Sequence, residues 1–505
     1  MIYLPKINKT DLVLVLLGAG LLILSFPKHD IGGLAYPALA VLCYLGLRSS
    51  APEEKRFLPG FLFGVFFYLG NIFWVSYSME HYGGLPKIVS WSILFILCCY
   101  LALYFGFFTW GLNRLSAKSR LVWVAPFYWV ALEYVRTYLL SGFPWSLIGY
   151  SQYKYIPLIQ IADITGVYGL SFIVMSVAVS LAKIASLYPE IKSSHLLRYG
   201  LVPVFLLIAG LSYGYYRINH LKFPEKIRVG VIQGNVDQGV KWNPSFQQKT
   251  IDRYARLSRK AAGKTTRLIV WPETAAPFYF QSNEKFARQV TKLAKEIKTP
   301  LLFGAPAFVM KKGDYQQQNS AFLLSSEGVL IGKSDKIHLV PFGEYVPLSW
   351  LFKPFGSLVA EVGDFSPGDR PHPLQLGNKR LGVVICFEVI FPDLVRRFFK
   401  NGAHFLVNIT NDAWFGHTDA SYQHYSMVTF RAVENHAGVA RSANTGISGF
   451  IDPLGRNISS TDIFVTTEQA ADLPVSREKT VYTRYGDIFA WFCCIITLAR
   501  IIRES

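Results

Sequence analysis

Cysteine is scarce, with six among 505 residues. Five of them, Cys43, Cys98, Cys99, Cys493 and Cys494, lie inside apolar runs, where a free thiol behaves as a small hydrophobe. Cys386 is therefore the only cysteine of residues 217–484, which excludes a disulfide framework and a cysteine-built metal centre. The ten histidines show no HExxH-type spacing, so no metal site is expected. Phosphate-cradling glycine motifs of the GxGxxG or P-loop kind are missing too, and no cofactor is expected. Charged residues make up only 17% of the chain, against about 25% in an ordinary soluble domain. With 51% hydrophobic and 15% aromatic residues, that shortage excludes disorder and a wholly soluble protein. The net charge of +18 is accompanied by no helix-turn-helix, RRM or zinc-finger spacing, so nucleic acid is not the expected partner. Such an excess suits a protein lying against anionic lipid. Internal repeats and low-complexity tracts are lacking as well.

What is abundant is apolar sequence in runs. Eight recur: Leu12–Leu24, Leu34–Leu47, Phe57–Tyr77, Ile88–Leu112, Leu121–Leu140, Ile164–Leu187, Gly200–Tyr216 and Tyr485–Ile502. A spanning helix needs about 20 apolar residues, which the middle four reach comfortably. The first two are shortest and are open to a re-entrant hairpin instead. With the N-terminus inside, the inner loops hold Lys6, Lys9, Arg48, Lys55, Arg56, Arg114, Lys118, Arg120, Lys183, Lys192, Arg198, Arg500 and Arg503. The short outer loops hold Lys28, Lys87 and Lys154. That asymmetry favours eight spans, both termini in the cytoplasm, and residues 217–484 outside it.

The organisation expected is thus residues 1–216 as membrane helices one to seven, 217–484 as an extracytoplasmic α/β domain, and 485–505 as helix eight. Within the middle segment, Ile227–Gln233, Leu268–Trp271, Leu301–Gly304, Leu381–Cys386 and Phe405–Ile409 have the continuous apolar character of doubly buried strands. Ser245–Ala262, Glu284–Lys298 and Ser421–Asn435 are amphipathic and predict helices. Ala321–Ser325 and Val329–Gly332 flank Glu327-Gly328 as a hairpin.

Three residues stand at the ends of such runs. Cys386 closes a strand and opens a helical turn, where it would sit exposed near helix N-terminal amides that lower a thiol pKa and hold an oxyanion. A buried structural thiol is the alternative. Glu273 ends Leu268–Trp271, and is open to the reading of a helix-capping carboxylate. Lys336 precedes an apolar stretch, where a merely solvated lysine is the plain alternative.

These residues carry a resemblance. "WPET", "KSDKIHLVPFGEYVP" and "GVVICFE" match, in order, the Glu–Lys–Cys triad of the nitrilase superfamily. "IRVGVIQGN" is similar to that domain's first strand. "VNITNDAWFG" and "RAVENHAGVARSANTGISGFIDPLGR" are similar to its C-terminal half. Apolar runs on both sides, with "SGFPW" ahead of the fifth loop, resemble more specifically the bacterial apolipoprotein N-acyltransferase family, over essentially the whole chain. The resemblance implies a nitrilase-like αββα sandwich beside a bundle of about eight transmembrane helices, in the bacterial inner membrane with the catalytic domain on the periplasmic side. It implies transfer of a fatty acyl chain from a membrane phospholipid, with phosphatidylethanolamine the expected donor, to the N-terminal amine of a diacylated apolipoprotein. The route would be a Cys386 thioester with ping-pong kinetics, Glu273 as base and Lys336 with the Phe387 amide on the oxyanion.

Further residues follow from the same resemblance. Glu344 matches a second glutamate supporting the lysine, with a loop carboxylate as the alternative. Glu388 would support the site or cap the next helix. Trp242 matches a mobile-loop aromatic that touches lipid, and Trp414 and Phe415 would line the acyl path; packing alone is the alternative for each. Glu133 and Arg136, three apart on the fifth run, are expected to share one helical side. Arg136 would attract a phospholipid headgroup or snorkel to the interface. Family members usually carry Tyr after the nucleophile, where this chain has Phe387; the amide survives and a hydroxyl contact is lost. A membrane-anchored amidase or nitrilase acting on small or lipid amides would use the same triad, but would not need eight spans. Nothing demands an oligomer, and a monomer is expected.

Overall fold

The computed structural model of the chain describes residues 7–47, 56–114, 121–311, 313–346 and 364–504. Lys6, Arg48, Lys55, Lys118 and Arg120 of the loop-charge reading, and Pro347 of the lysine motif, lie outside the described residues. Two compact units emerge. One takes in the described residues of Met1–Tyr77, Pro86–Leu221 and Tyr485–Ser505; the other comprises Ser78–Leu85 and Lys222–Arg484.

In the first unit all eight apolar runs are helical. Among the described residues, Lys87–Leu112, Val167–Ala185 and Ser193–His220 are long and apolar enough to cross a membrane. Phe57–Asn71 and Trp74–His81, bent by 51°, would together count as a fourth. Lys9–Leu24 and Ala35–Leu47 are 16 and 13 residues long. At 1.5 Å per residue both fall short of a hydrocarbon core of roughly 30 Å. Small residues set the packing: a Cβ on Gly60 would stand 2.1 Å from Thr109 Oγ1, and one on Gly64 2.8 Å from the Ala102 Cα. The helix Phe57–Asn71 thereby lies directly on Lys87–Arg114, as small residues four apart allow. The C-terminal helix Ile488–Glu504 returns to this unit through Phe127–Phe492 and Phe172–Phe489 ring contacts and a 2.6 Å bond from the Tyr138 hydroxyl to Asp487.

The second unit is built on two six-stranded sheets. In chain order the strands are β1 Lys226–Gln233, β2 Leu268–Val270, β3 Leu301–Lys311, β4 Asp314–Leu324, β5 Leu330–Asp335, β6 Leu374–Leu376, β7 Lys379–Ile385, β8 Phe405–Thr410, β9 Val439–Ala443, β10 Gly449–Ile451, β11 Asn457–Ser460 and β12 Thr467–Pro474. The sheet orders are β12-β1-β2-β3-β4-β5 and β11-β10-β9-β8-β7-β6. Each has a parallel core, β1-β2-β3 and β7-β8-β9, extended by antiparallel strands.

Strand periodicity explains the layering. Val229, Val231, Leu268 and Val270 of the first sheet meet Leu381, Val383, Ile385, Val407 and Ile409 of the second in one buried cluster. The alternate residues Ile232 and Ile269 face outward and pack with Tyr254 and Leu257 of the helix Pro244–Ala261 and with Val290 and Leu293 of Glu284–Ile297. On the other sheet, Pro392–Lys400 buries Val395, Phe398 and Phe399, and Ala420–Asn435 is buried along its whole length. The order helix, sheet, sheet, helix is the αββα arrangement expected. The hairpin around Glu327-Gly328 also forms, but its first strand begins at Asp314 and pairs over its full length with β3.

Candidate active site

Each chemically active side chain is delivered by the end of a strand, where open α/β sheets place their functional groups. Glu273 follows β2 through Trp271-Pro272, Lys336 follows β5, and Cys386 follows β7. Gly304 of β3 makes room for the first: a Cβ there would stand 2.7 Å from the Glu273 Cα. The structure brings all three together in a buried group.

Lys336 is 1% exposed, and its Nζ lies 2.8 Å from Glu344 Oε1 and 3.6 Å from Glu273 Oε1. Burial works against its charge, but Glu344, then Glu273 and Cys386, hold the ammonium well above the usual lysine range. The two carboxylates are tied by one amide, Asn319 Nδ2 donating to Glu273 Oε1 at 2.7 Å and to Glu344 Oε1 at 3.1 Å. Glu344 Oε2 accepts from the Val340 amide at 2.9 Å, and Glu273 Oε2 from the Asn411 amide at 2.9 Å. Both carboxylates are thus aimed by the backbone, each with acceptor capacity left over.

Cys386 takes a left-handed conformation, φ 54°, at the first position of the 3₁₀ turn Cys386–Ile390. The N–H groups that open such a turn have no acceptor within it, which leaves donors beside the thiol. Two expectations need correcting here. Cys386 is not exposed but 8% accessible. Its pKa is not lowered: burial first, then the charge of Glu273, push the thiol above its usual range, while Lys336 and Thr410 pull the other way. Burial thus outweighs the turn amides and disfavours the thiolate. Behind it Asp412, His424 and Arg441 form a buried network, with His424 Nε2 3.3 Å from the Cys386 carbonyl oxygen.

Glu388 does not cap the following helix. Its Oε1 accepts from the amides of Ile337 at 2.6 Å and His338 at 3.1 Å, and its Oε2 from Ile385 at 2.7 Å. It clips the lysine strand end to the cysteine strand end. Burial raises its pKa to about 7 against the pull of those amides. The Phe387 ring is buried 5.3 Å from Phe391.

Of the proposed substrate contacts, Trp242 is 46% exposed. Trp414 is 39% exposed, with Tyr82 edge-on at 5.2 Å and the Ser78 hydroxyl donating to its carbonyl at 2.7 Å. Phe415 packs against His424 at 6.0 Å. Arg136 lies in the helical unit, buried, donating to the Tyr68 hydroxyl and, at 3.4 Å, to the Ser146 carbonyl. It does not pair with Glu133, whose Oε1 instead accepts from the Ile148 amide at 2.7 Å. Burial also removes the snorkelling alternative. Sequence reasoning missed Lys241, Asn319 and Asn411; a lysine beside Trp242 and an asparagine in "TND" were the only signals. Among the described residues no cluster of three or more His, Cys, Asp or Glu is placed to hold a metal ion.

A nitrilase-like α/β domain with two sheets and a strand-end Glu–Lys–Cys group is the class of molecule this fold and site define. Comparison with known proteins narrows it. Residues 18–180 match the apolipoprotein N-acyltransferase N-terminal domain, and residues 228–479 match the carbon-nitrogen hydrolase family. The chain is 44% identical to an apolipoprotein N-acyltransferase of Geobacter metallireducens, over 96% of this chain and 94% of that protein. It is 31% identical to that of Haemophilus influenzae, over 95% and 92%. Among solved structures, a nitrilase-superfamily amidase from Nesterenkonia AN1 aligns with a TM-score of 0.41 and 18% identity, over 53% of this chain and 97% of that one. The chain belongs to the apolipoprotein N-acyltransferase family and is an N-acyltransferase.

Proposed function

We propose that the protein completes lipoprotein maturation by moving a fatty acyl chain from a phospholipid, phosphatidylethanolamine by preference, to the α-amine of a diacylated apolipoprotein. The observation that carries this is the Lys336 ammonium fixed between Glu273 and Glu344 beside a buried thiol. The names of the relatives, apolipoprotein N-acyltransferase, support the choice of acceptor.

In the first half-reaction Glu273 takes the Sγ proton as the sulfur attacks the ester carbonyl. The carbon–sulfur bond forms, and the oxyanion is held by Lys336 Nζ and the Phe387 amide. Collapse breaks the ester carbon–oxygen bond, and Glu273 returns its proton to the departing lysophospholipid oxygen. The second half repeats this with the lipoprotein amine as nucleophile. Glu273 accepts an amine proton, the carbon–sulfur bond breaks, and the thiol is restored with a new amide. Glu344 and Glu388 act through Lys336 and the two strand ends. Trp242, Trp414 and Phe415 contact the acyl chains.

Both substrates carry acyl chains and reside in the membrane. We read the helical unit as eight spans of the bacterial inner membrane, residues 1–216 and 485–505, with the catalytic domain periplasmic and the enzyme a monomer. The charge asymmetry of the loops supports that orientation.

The test is intact-protein mass spectrometry of the purified enzyme mixed with phosphatidylethanolamine. An added acyl mass, labile to hydroxylamine and absent in Cys386→Ala, is expected, followed by discharge onto a diacylated lipopeptide. Absence of an adduct with any lipid, together with turnover of small amides, would replace this reading with a membrane-anchored amidase.

A further inference from the structure

Between Asp237 and Ser245 one side chain alone is buried, and it is a lysine. Lys241 is 1% exposed, while its neighbour Trp242 and the following Asn243, Pro244 and Ser245 face solvent. A lysine in such a loop ordinarily carries its ammonium to water, because burying an unpaired charge is costly. Here Nζ turns inward and donates to the Thr274 hydroxyl at 2.5 Å and to the Glu273 carbonyl oxygen at 3.3 Å. Thr274 itself is held at φ 46°, so the chain turns sharply just after the base. The first part of the loop is fastened separately, Val236 to the Asn444 side chain and Gln238 to Asn411. The stretch bearing Trp242 is joined to the base through Lys241.

Charge supplies the reason for the burial. Glu273 and Glu344 face Lys336, which leaves one carboxylate without a balancing cation. Burial lowers Lys241 to about 8, with Glu273 and Cys386 opposing that fall, so a cation is available near neutral pH.

We propose that Lys241 is a positioning residue for acyl transfer: its ammonium latches the Trp242 loop onto the peptide that carries Glu273 and supplies the second cation of the site. Substrate entry past Trp242 and alignment of the base are then coupled, because lifting the loop withdraws the ligand of the Glu273 carbonyl. This rests on Cys386, Glu273 and Lys336 acting as proposed above.

The experiment uses the full-length enzyme in nanodiscs containing phosphatidylethanolamine, with Cys386→Ala, Lys241→Met and Lys241→Arg variants. The rate of thioester formation is read by intact mass, and backbone deuterium uptake across residues 235–244 is read in parallel. Loss of a charge-assisted hydrogen bond predicts a fall of roughly tenfold or more for Lys241→Met. Faster exchange confined to the loop and recovery to within about threefold of wild type in Lys241→Arg, which keeps the charge, are also expected. A wild-type rate in Lys241→Met, or an equal loss in both variants with unchanged loop exchange, would overturn the latch. Unimpaired thioester formation in Cys386→Ala would instead overturn the underlying mechanism. Should Lys241→Met fail to fold, Thr274→Val removes the acceptor alone and should slow acylation while Thr274→Ser does not. Equal rates for those two would refute the proposal.

Discussion

Replacing Glu344 by Gln probes the lysine's support with almost no change of shape. The carboxylate accepts from Lys336 Nζ at 2.8 Å, from Asn319 Nδ2 at 3.1 Å and, through its other oxygen, from the Val340 amide at 2.9 Å. Gln offers one oxygen and turns an N–H₂ toward at least one of these donors. A charge-assisted hydrogen bond contributes about 1.5–3 kcal/mol, and breaking a buried pair costs about 3–5 kcal/mol. Lys336 keeps Glu273 at 3.6 Å, so the lower part of that range applies. At about 1.4 kcal/mol per tenfold, a loss of roughly 3 kcal/mol is about a hundredfold in the rate of thioester formation. The lysine begins well above its usual pKa range, so removing one of its carboxylates still leaves it protonated near neutrality. The loss should therefore be the same across neutral pH. Single-turnover acylation by phosphatidylethanolamine, followed by intact mass at several pH values, measures both. A rate within about threefold of wild type would refute the supporting role. Recovery at lower pH would show that the lysine had lost its proton, and would refute the positioning argument.

Lys241 also makes a pH prediction for stability. Its pKa is near 8 when folded, because burial disfavours the ammonium, and about 10.4 when unfolded. Between those values the unfolded chain binds more protons, so this residue's contribution to stability rises with pH. The charges that reach it are those of Glu273 and Cys386. The Tm of wild type minus that of Lys241→Met should therefore grow between pH 8 and 10. Parallel curves would contradict the burial of an ammonium there. The proposed orientation is tested at Lys311→Cys, on the hairpin between β3 and β4, whose lysine pairs with Asp369 at 3.0 Å. A membrane-impermeant thiol reagent should label it in intact spheroplasts; labelling only after lysis would invert the topology.

Much of the catalytic unit was legible because a doubly buried strand is a short apolar run, and the active residues come directly after such runs. β1, β2, β7 and β8 were placed within a residue or two on that ground, and Glu273, Lys336 and Cys386 with them. β4 was seen only in its apolar half, since Asp314–Asn319 is polar and carries no period-two signal. Residues 78–85 gave no sign of joining the second unit, because hydropathy records polarity and not packing. The shared helical side of Glu133 and Arg136 was read from spacing on one helix. Their partners, Ile148, Tyr68 and Ser146, come from other parts of the chain. Burial of Cys386 failed to appear for the same reason: a local reading weighs the turn amides, whereas the buried cluster around the thiol also draws on β1 and β2, more than a hundred residues away. Lys241 was passed over because its acceptors lie more than thirty residues on.

Cys386, His424 and Asp412 together invite comparison with a cysteine–histidine–aspartate triad, and the geometry decides against it. His424 Nε2 lies 3.3 Å from the Cys386 carbonyl oxygen, a contact in which the ring nitrogen must donate and so has no lone pair for the thiol proton. Its Nδ1 lies 3.1 Å from Asp412 Oδ1 and 3.0 Å from Arg441 Nη2. Burial and the Arg441 charge hold the imidazole below its usual pKa, opposing the imidazolium that a general base must become. Arg441 meanwhile compensates Asp412, whose carboxyl is held well below its usual range against the cost of burial. The network is charge-balanced within itself, and the Nε2 of His424 is turned to the Cys386 carbonyl rather than to its thiol. The proposed mechanism accordingly gives the Sγ proton to Glu273, whose carboxylate is set beside Lys336 and aimed by Asn319 and the Asn411 amide.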